Sequence, residues 1–239
     1  MLELPGGQLI ALDTVKNVAE KLNQCGVLLE NGIGLDYSGV DSVADSKVEY
    51  HRIIVPRGGE YNLKLADGTS VWVFAESEIR FPTRFKGNKR EVYLEGEAYF
   101  DVFHDPAHPF YVKTKSLDVK VLGTSFNVKA YRNSGVVETS LVEGVVSVKD
   151  NVLRPDIQAT YYEQSGDFSY RKIKGENYRL RKEQMFVFEE ERLDDILQEM
   201  ARWYDFEVFY QNPEMAEKRF GFKLEKYEHV DSLLKILEL

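Results

Sequence analysis

Two histidines in the sequence have a spacing that can bind a metal. His104 and His108 lie four residues apart, which on a helix would place both imidazoles on one face, as in many zinc sites. Pro106 and Pro109 make a helix here unfavourable, because proline removes a backbone donor and clashes with the preceding turn. We therefore interpret the segment as a turn that enters a strand, and we expect no metal site.

Two glutamates two positions apart could perform acid–base catalysis. Glycoside hydrolases use a pair of carboxyl groups that flank the scissile bond, and the acids available here are Glu95, Glu97 and Asp101. Solvated strand edges commonly carry such residues, and the sequence offers them no obvious partner groups. An enzyme acting on glycans therefore stays an alternative, which requires these carboxyl groups to meet in one pocket.

The single cysteine and a pair of glycines do not indicate a cofactor. Cys25 alone excludes an intramolecular disulfide and a cluster of metal-binding thiolates. Gly58-Gly59 is not followed by the Gly-Lys-Ser/Thr of a phosphate-binding loop. We expect neither a cofactor nor a catalytic cluster.

Aromatic residues provide a second alternative, a carbohydrate-binding β module. Trp72, Tyr93, Tyr99 and Tyr131 could form a platform on which sugar rings stack. Cross-strand packing is the more common role of such residues in β sheets. The alternative requires an exposed row of these rings, so burial of the rings would exclude it.

Composition and charge narrow the class of protein. The chain has 239 residues, of which 43% are hydrophobic and 13% aromatic, enough for one large or two ordinary domains with a bias towards β structure. The net charge of -9 disfavours nucleic acid as a partner, since its phosphates would be repelled. The sequence has no apolar run of the ~20 residues that span a bilayer, and its start lacks the pattern of a signal peptide. We expect a cytosolic protein or a soluble piece of a longer one.

A hairpin near residue 65 is the clearest local signal of the fold. Apolar and polar residues alternate on both sides of Asp67-Gly68, as in two half-buried strands joined by a tight turn. This dipeptide predicts a two-residue type I′ turn, in which both residues have positive φ. The preceding Arg57-Gly58-Gly59 ends an apolar strand and predicts a flexible corner.

Three glycines further along, Gly96, Gly123 and Gly144, each separate an apolar strand from a second alternating segment. Glycine inside a strand pattern usually marks a bulge or a bend. A sheet that bends at each of them would curl or stack on itself. We therefore predict that residues 1–175 form an all-β domain, either a β-sandwich or a solenoid-like β stack, with the pattern least defined over residues 1–47.

The periodicity changes near residue 185. A charged linker over residues 176–184, which could include some helix, leads into a short strand, and residues 193–204 then have the apolar spacing of one helix face. Two further strands, at residues 206–210 and 219–224, and a second amphipathic helix complete a β-α-β-β-α order. The sequence ends before the closing strand of such a fold, so we expect this α+β domain, residues 185–239, to lack its last strand.

Charge and strand edges in this C-terminal segment indicate where a partner would bind. Residues 184–239 contain 14 acidic and 7 basic side chains, which favours a basic or amphipathic protein partner over a membrane or nucleic acid. Open strand edges accept an added strand. The candidate partner-binding residues lie on the two predicted strands and are Phe206, Val208, Tyr210, Phe220 and Phe222.

Several motifs carry a resemblance to a known family. They are VPRGGEY at residues 55–61, LADGT at 65–69 and VWV at 71–73, followed by the segments at 92–102, 108–114, 121–130 and 141–148. Together they resemble the FecR family of anti-sigma factors, in the form common in Bacteroidetes. Residues 185–239 are similar to the short N-terminal domain of secretins and TonB-dependent receptors, the STN domain. A family segment like Trp-Lys-x-Gly is replaced here by Arg181-Lys182-Glu183-Gln184, which affects the packing of the linker.

The resemblance implies a non-enzymatic role in signalling across the cell envelope. A TonB-dependent outer-membrane transporter that has bound its substrate presents its N-terminal signalling domain in the periplasm, where the FecR region receives it. The signal then crosses the inner membrane and changes the hold on an extracytoplasmic-function sigma factor. The family's cytoplasmic sigma-binding helices and transmembrane helix have no counterpart in these residues. The chain thus resembles the region at the periplasmic face of the inner membrane.

Overall fold

Strands make up most of the regular structure before residue 175. The computed structural model describes residues 1–12, 27–30, 34–40, 48–149, 151–204, 206–226 and 235. The strands in these ranges are β1 (Leu2–Glu3), β2 (Leu9–Ile10), β3 (Leu28–Glu30), β4 (Gly34–Asp36), β5 (Tyr50–Val55), β6 (Tyr61–Lys64), β7 (Ser70–Val73), β8 (Ser77–Pro82), β9 (Arg90–Asp101), β10 (Phe110–Lys113), β11 (Asp118–Val121), β12 (Ser125–Ala130), β13 (Val136–Glu143), β14 (Val146–Val148), β15 (Asn151–Leu153), β16 (Ile157–Tyr162), β17 (Phe168–Lys172), β18 (Met185–Arg192) and β19 (Arg219–Glu225). The helices are α1 (Gly175–Lys182), α2 (Leu193–Tyr204) and a 3₁₀ helix at Pro213–Glu217. Among the described residues, no helix has the length and apolar character needed to cross a membrane.

The first 17 strands form two sheets that share β9. Sheet 1 has the order β2–β1–β5–β8–β9–β10–β11–β14–β15, and sheet 2 has the order β3–β4–β6–β7–β9–β12–β13–β16–β17. The first half of β9 pairs within sheet 1, where Glu95 lies opposite Glu78, and the stretch from Gly96 to Asp101 pairs within sheet 2. All pairings are antiparallel except β9–β10 and β4–β6.

The three glycines noted in the sequence lie where the chain passes from one sheet to the other. Gly96 lies within β9, Gly123 between β11 and β12, and Gly144 between β13 and β14. Gly96 has a φ of +100°, and a Cβ there would lie 2.3 Å from Ser77 Oγ and 2.6 Å from Ser77 Cα. At Gly123 a Cβ would lie 2.4 Å from the Cα of His104. At these two crossings, therefore, only glycine fits.

Two further crossings use residues other than glycine. Glu76, between β7 and β8, has a φ of 58°, and Asp156, between β15 and β16, has a φ of 62°. Asp156 Oδ1 accepts a hydrogen bond from the backbone N of Gly175 at 2.9 Å, which fixes this corner. Because side chains with positive φ are uncommon, the sequence pattern does not reveal either crossing.

One apolar core joins the two sheets. Buried side chains from both sheets belong to a single cluster. Phe100 of sheet 2 stacks on Phe126 with 5.2 Å between ring centroids, and it lies 6.2 Å from the ring of Phe110 in sheet 1. All three rings are fully buried. Each contributes about 2 to 3 kcal/mol by leaving water, so the contact between sheets is a major source of stability.

The hairpin of β6 and β7 has a different turn from the predicted one. Gly68 has a φ of +87°, whereas Asp67 is not among the residues with positive φ, so the turn is not of type I′. Gly68 N donates to Leu65 O at 2.9 Å, and Leu65 N donates to Thr69 O at 2.8 Å. These bonds correspond to a type I turn followed by a glycine bulge. The Asp-Gly dipeptide is compatible with both turns, because both need positive φ at the glycine.

A buried histidine lies in the core between the two sheets. His51 in β5 is 2% exposed, and its Nδ1 lies 2.7 Å from the hydroxyl oxygen of Tyr37. The ring of Phe81 contacts both side chains edge-on. Burial disfavours the charged imidazolium and lowers the pKa of His51 to about 4. The imidazole is therefore neutral at pH 7, and it shares a hydrogen bond with the Tyr37 hydroxyl.

Acid is expected to lower the free energy of unfolding of the two-sheet part of the chain through His51. The unfolded chain binds this proton near pH 6.5 and the folded chain only near pH 4, so the unfolded state gains protons first as the pH falls. The stability that the neutral imidazole contributes is complete above pH 6.5 and is lost between about pH 6.5 and pH 4. The loss amounts to about 3 kcal/mol, at 1.36 kcal/mol per pKa unit.

Urea unfolding at neutral pH and near pH 4.5 measures this loss. His51→Gln removes the titrating group but keeps a polar partner for Tyr37, so the pH dependence of the free energy of unfolding shrinks by about 3 kcal/mol. Equal pH dependence in the unaltered chain and in His51→Gln would contradict the assignment.

The C-terminal part forms a compact unit of its own. The chain divides into a first unit, Met1–Pro56 with Glu60–Gly175, and a second unit, Arg57–Gly59 with Glu176–Leu239. In the second unit β18 and β19 pair antiparallel, and α2 packs on them with its buried apolar face. This part is a small β-α-β arrangement.

Some sequence predictions differ from this arrangement or fall outside it. Residues 176–184, predicted as a linker, largely form helix α1 and belong to the second unit. The corner at Arg57–Gly59 follows β5 as expected, with a φ of +68° at Gly58, and its three residues also belong to the second unit. Cys25 and the second amphipathic helix lie outside the described residues.

Candidate functional site

The three acids considered for catalysis do not meet. Glu95 is exposed and forms an ion pair with Arg132 at 2.6 Å. Glu97 is 1% exposed, and its Oε1 accepts a hydrogen bond from Asn127 Nδ2 at 3.0 Å. Asp101 lies four residues further along the same strand, about 13 Å away at 3.3 Å per residue. The condition for the glycan-active enzyme is therefore not met.

The two histidines do not form a pair. His108 Nδ1 lies 2.7 Å from Asp105 Oδ2, and this hydrogen bond lowers the pKa of Asp105. His104 lies against Gly123 instead. The described residues contain no group of three or more histidine, cysteine or acidic side chains that could hold a metal.

The four aromatic residues do not form an exposed row. Tyr99 is 1% exposed, and Trp72 lies opposite it in sheet 2 with its ring in edge contact at 6.0 Å. The Tyr131 hydroxyl donates to the backbone O of Ala75 at 3.0 Å. Tyr93 is 40% exposed but lies in the sheet 1 part of β9. The sugar platform that the carbohydrate-binding alternative requires is absent from these residues.

A buried ion pair joins the β6–β7 turn to the start of β9. Arg90 Nη1 donates to Asp67 Oδ2 at 2.6 Å, and the two side chains are 3% and 11% exposed. Asp67 also accepts hydrogen bonds from the backbone N of Thr69 at 3.0 Å and from its hydroxyl at 2.7 Å. The Arg90 guanidinium also binds the backbone carbonyls of Phe103 at 2.9 Å, His108 at 2.7 Å and Asp105 at 3.4 Å. This network holds the turn and the β9–β10 loop together, so its role is structural.

The second unit has a small core between α2 and the two strands. Its buried side chains are Phe186, Phe188, Ile196, Met200 and Leu224. The helix stripe predicted from the sequence supplies Ile196 and Met200, both 0% exposed. Because this core is small, each of its aromatic contacts matters for keeping the strands in place.

Residues 206–210 do not form the predicted strand. Phe206, Val208 and Tyr210 are half-buried in alternation, yet the segment pairs with neither β18 nor β19. Phe206 packs against the core, and the Tyr210 hydroxyl donates to Asp194 Oδ1 at 3.3 Å. Burial and this carboxylate raise the pKa of Tyr210 to about 12. Alternation shows which side chains face a core, whereas a strand also needs a hydrogen-bonded neighbour.

The other two candidate residues lie on β19 and also face the core. Phe220 and Phe222 are half-buried, and the Phe222 ring lies 5.2 Å from that of Phe188. Their side chains therefore hold the strand on the unit, and they offer little surface to a partner.

The backbone of β19 has an open edge within the described residues. β19 pairs there only with β18, and Lys226 N donates to Gln184 O at 2.8 Å. In an antiparallel pair the bonded positions alternate, so the peptide groups of Lys223 and Glu225 point away from β18. This is the arrangement that can accept an added strand.

Two family models match the chain in order. The model described as FecR protein matches residues 51–147, and the model described as FecR, C-terminal matches residues 185–239. The chain has the domain composition of a FecR protein. The stretch matched by the FecR model includes the Asp67–Arg90 pair and the crossings at Gly96, Gly123 and Gly144. The stretch matched by the FecR C-terminal model includes α2, β18, β19 and every candidate partner-binding residue.

Solved structures agree with this composition. Two crystal structures of a protein from Parabacteroides distasonis ATCC 8503, assigned as an anti-sigma factor, superpose with TM-scores of 0.72 and 0.71. Each is 28% identical, and the matches cover 78% and 79% of this chain and 90% of those chains. Among curated proteins none matches the chain significantly. The FecR domains and these neighbours support a signalling role as an anti-sigma factor, in a family that is regulatory rather than catalytic.

Sequence patterns did not reveal the buried polar contacts of either unit. The local sequence around Arg90 does not indicate its role, because its partner Asp67 lies 23 residues away in the chain. Arg181 of α1 binds Glu199 of α2 at 2.6 Å, with both side chains nearly buried. Lys226 is 4% exposed, with its Nζ 5.0 Å from the ring centroid of Trp203. Arg181 and Glu199 lie on helices and Lys226 directly follows β19, so the strand pattern does not mark these positions.

Proposed function

We propose that this chain is the periplasmic signal-receiving region of a transmembrane FecR-type anti-sigma factor of the kind common in Bacteroidetes. The observation that carries the proposal is the succession of a FecR domain and a FecR C-terminal domain in one chain. The two sheets on one core suit a β-sandwich that acts as a scaffold. The second unit suits an STN-like module that contacts a partner.

The proposed signal comes from a TonB-dependent transporter in the outer membrane. When the transporter is occupied, its N-terminal signalling domain binds this region at the periplasmic face of the inner membrane. The full-length protein then changes its hold on an extracytoplasmic-function sigma factor through its cytoplasmic region. The partners are thus two proteins, and the chain itself carries out no reaction.

The open edge of β19 is the proposed contact for the signalling domain. Strand addition uses backbone N–H and C=O groups, which here are those of Lys223 and Glu225. The side chains of Phe220 and Phe222 pack on the core of the unit, so the edge is held in place before a partner arrives. A preformed edge avoids most of the ordering cost that a flexible segment would add on binding.

Calorimetric titration of the intact chain with the isolated signalling domain of its transporter tests the function. We expect saturable 1:1 binding, and its absence would overturn the proposal. Lys223→Pro removes one outward N–H without touching the β18 ladder, so binding weakens about tenfold or more. Lys223→Ala keeps the N–H and serves as the control. Equal effects of the two substitutions would exclude strand addition at this edge.

A further inference from the structure

Phe209 has an exposure that is unusual for a large apolar side chain. It is 86% exposed, the highest value among the large hydrophobic residues in the described ranges. A single exposed phenylalanine needs no explanation by itself. The position of Phe209 does need an explanation, because the residues on either side of it are held against the folded unit.

The segment that carries Phe209 is held at several points. Phe206 packs against the core between α2 and the strands, Val208 is half-buried, and the Tyr210 hydroxyl donates to Asp194. Inward and outward positions alternate, so Phe209 projects to the solvent side together with Glu207. The phenylalanine is therefore presented outward from an anchored segment, which reduces the entropy lost on binding.

The charge on the outward side of this segment is negative. Glu207 is exposed on the same side of the segment and has no ion-pair partner among the described residues. Asp194 is bonded to Tyr210 and Gln198, neither of which is cationic. The nearby cation Arg192 is already bound to Glu217. Glu207 is thus the carboxylate on the same side of the segment as Phe209, on a unit whose residues 184–239 contain 14 acidic and 7 basic side chains.

We propose that Phe209 is the apolar anchor by which the second unit binds a basic face of its protein partner. The ring would enter an apolar pocket of the partner, and Glu207 would meet a lysine or arginine side chain beside that pocket. This contact is additional to the β19 edge. It rests on the proposed function for the identity of the partner, the signalling domain of the transporter.

Phe209→Ser in the intact chain tests the anchor by calorimetry with the same signalling domain. We expect the Kd to rise at least tenfold, since a central aromatic residue carries a large share of binding energy, and the melting temperature to stay unchanged because the ring is exposed. Phe103→Ser is the matched control, since Phe103 is 59% exposed in the first unit, and its Kd stays at the unaltered value. Glu207→Lys weakens binding as well, and added salt weakens the unaltered complex.

The outcomes separate this inference from the function on which it rests. Binding by the unaltered chain with an unchanged Kd in Phe209→Ser overturns the anchor and leaves the proposed function standing. No binding by the unaltered chain overturns both. If the chain alone self-associates in sedimentation experiments and Phe209→Ser abolishes this, the occupant is a second copy, and the proposed basic partner is wrong.

Discussion

Replacing Arg90 with methionine is expected to lower the free energy of unfolding of the first unit by about 3 to 5 kcal/mol. Methionine fills part of the side-chain volume but donates no hydrogen bonds. The carboxylate of Asp67 then stays nearly buried without its cation, and the carbonyls of Phe103 and His108 lose their donor. Removing one member of a buried pair leaves the desolvation cost of the other uncompensated.

Urea unfolding, monitored by tryptophan fluorescence, measures this loss of stability in the first unit. The chain has two tryptophans, Trp72 in the first unit and Trp203 in the second. In a Trp203→Phe background, the signal reports on the first unit alone. Arg80→Met removes an exposed arginine from the same sheet and is expected to cost less than about 1 kcal/mol. Equal losses in Arg90→Met and Arg80→Met would show that the buried pair does not stabilise the unit.

A double substitution tests whether Arg90 acts through Asp67. Asp67→Asn removes the charge but keeps an oxygen that can accept from Thr69. If the ion pair is the main interaction, Asp67→Asn combined with Arg90→Met costs clearly less than the sum of the two single substitutions. Strict additivity would assign the stability to the carbonyl contacts of Arg90 instead.

Gly96→Ala is expected to destabilise the first unit by roughly 4 kcal/mol. Two costs add: about 1 to 3 kcal/mol for a side chain at positive φ, and a similar amount for overpacking. The overpacking arises because the new Cβ would lie 2.6 Å from the Cα of Ser77, a backbone atom of β8 that can move only if the sheet moves. Gly96 is also the residue at which β9 leaves sheet 1 for sheet 2, so the strain falls on the strand that both sheets share.

Gly87→Ala is the matched control, because it separates the two costs. Gly87 has a φ of +91°, close to that of Gly96, but no atom other than those of Gly87 and its two chain neighbours lies within 4 Å of the position that its Cβ would take. Its substitution therefore introduces backbone strain alone and is expected to cost about 1 to 3 kcal/mol. Urea unfolding in the same Trp203→Phe background compares the two variants. The prediction fails if Gly87→Ala is as destabilising as Gly96→Ala.

The sequence by itself determined the periodic features of this protein. Alternation identified β6 and β7, glycines within apolar runs marked points where the chain changes sheet, and the spacing of Ile196 and Met200 identified the buried face of α2. These features depend on neighbours a few residues apart, so the information is present locally. The FecR resemblance arose from the same local motifs, and the family models match the segments that carry them.

Only the tertiary structure decided which residues meet across the chain. The Asp-Gly dipeptide was compatible with two turns, and the bonds of Leu65 selected one of them. Residues 206–210 have the alternation of a strand but no ladder partner. Arg90 meets Asp67, Glu97 is buried against Asn127, and Phe209 is left in solvent, although nothing in their local sequence distinguishes them from their neighbours. Burial and pairing are properties of the packed chain, because the free energy of a charge or a ring depends on the atoms that surround it after folding.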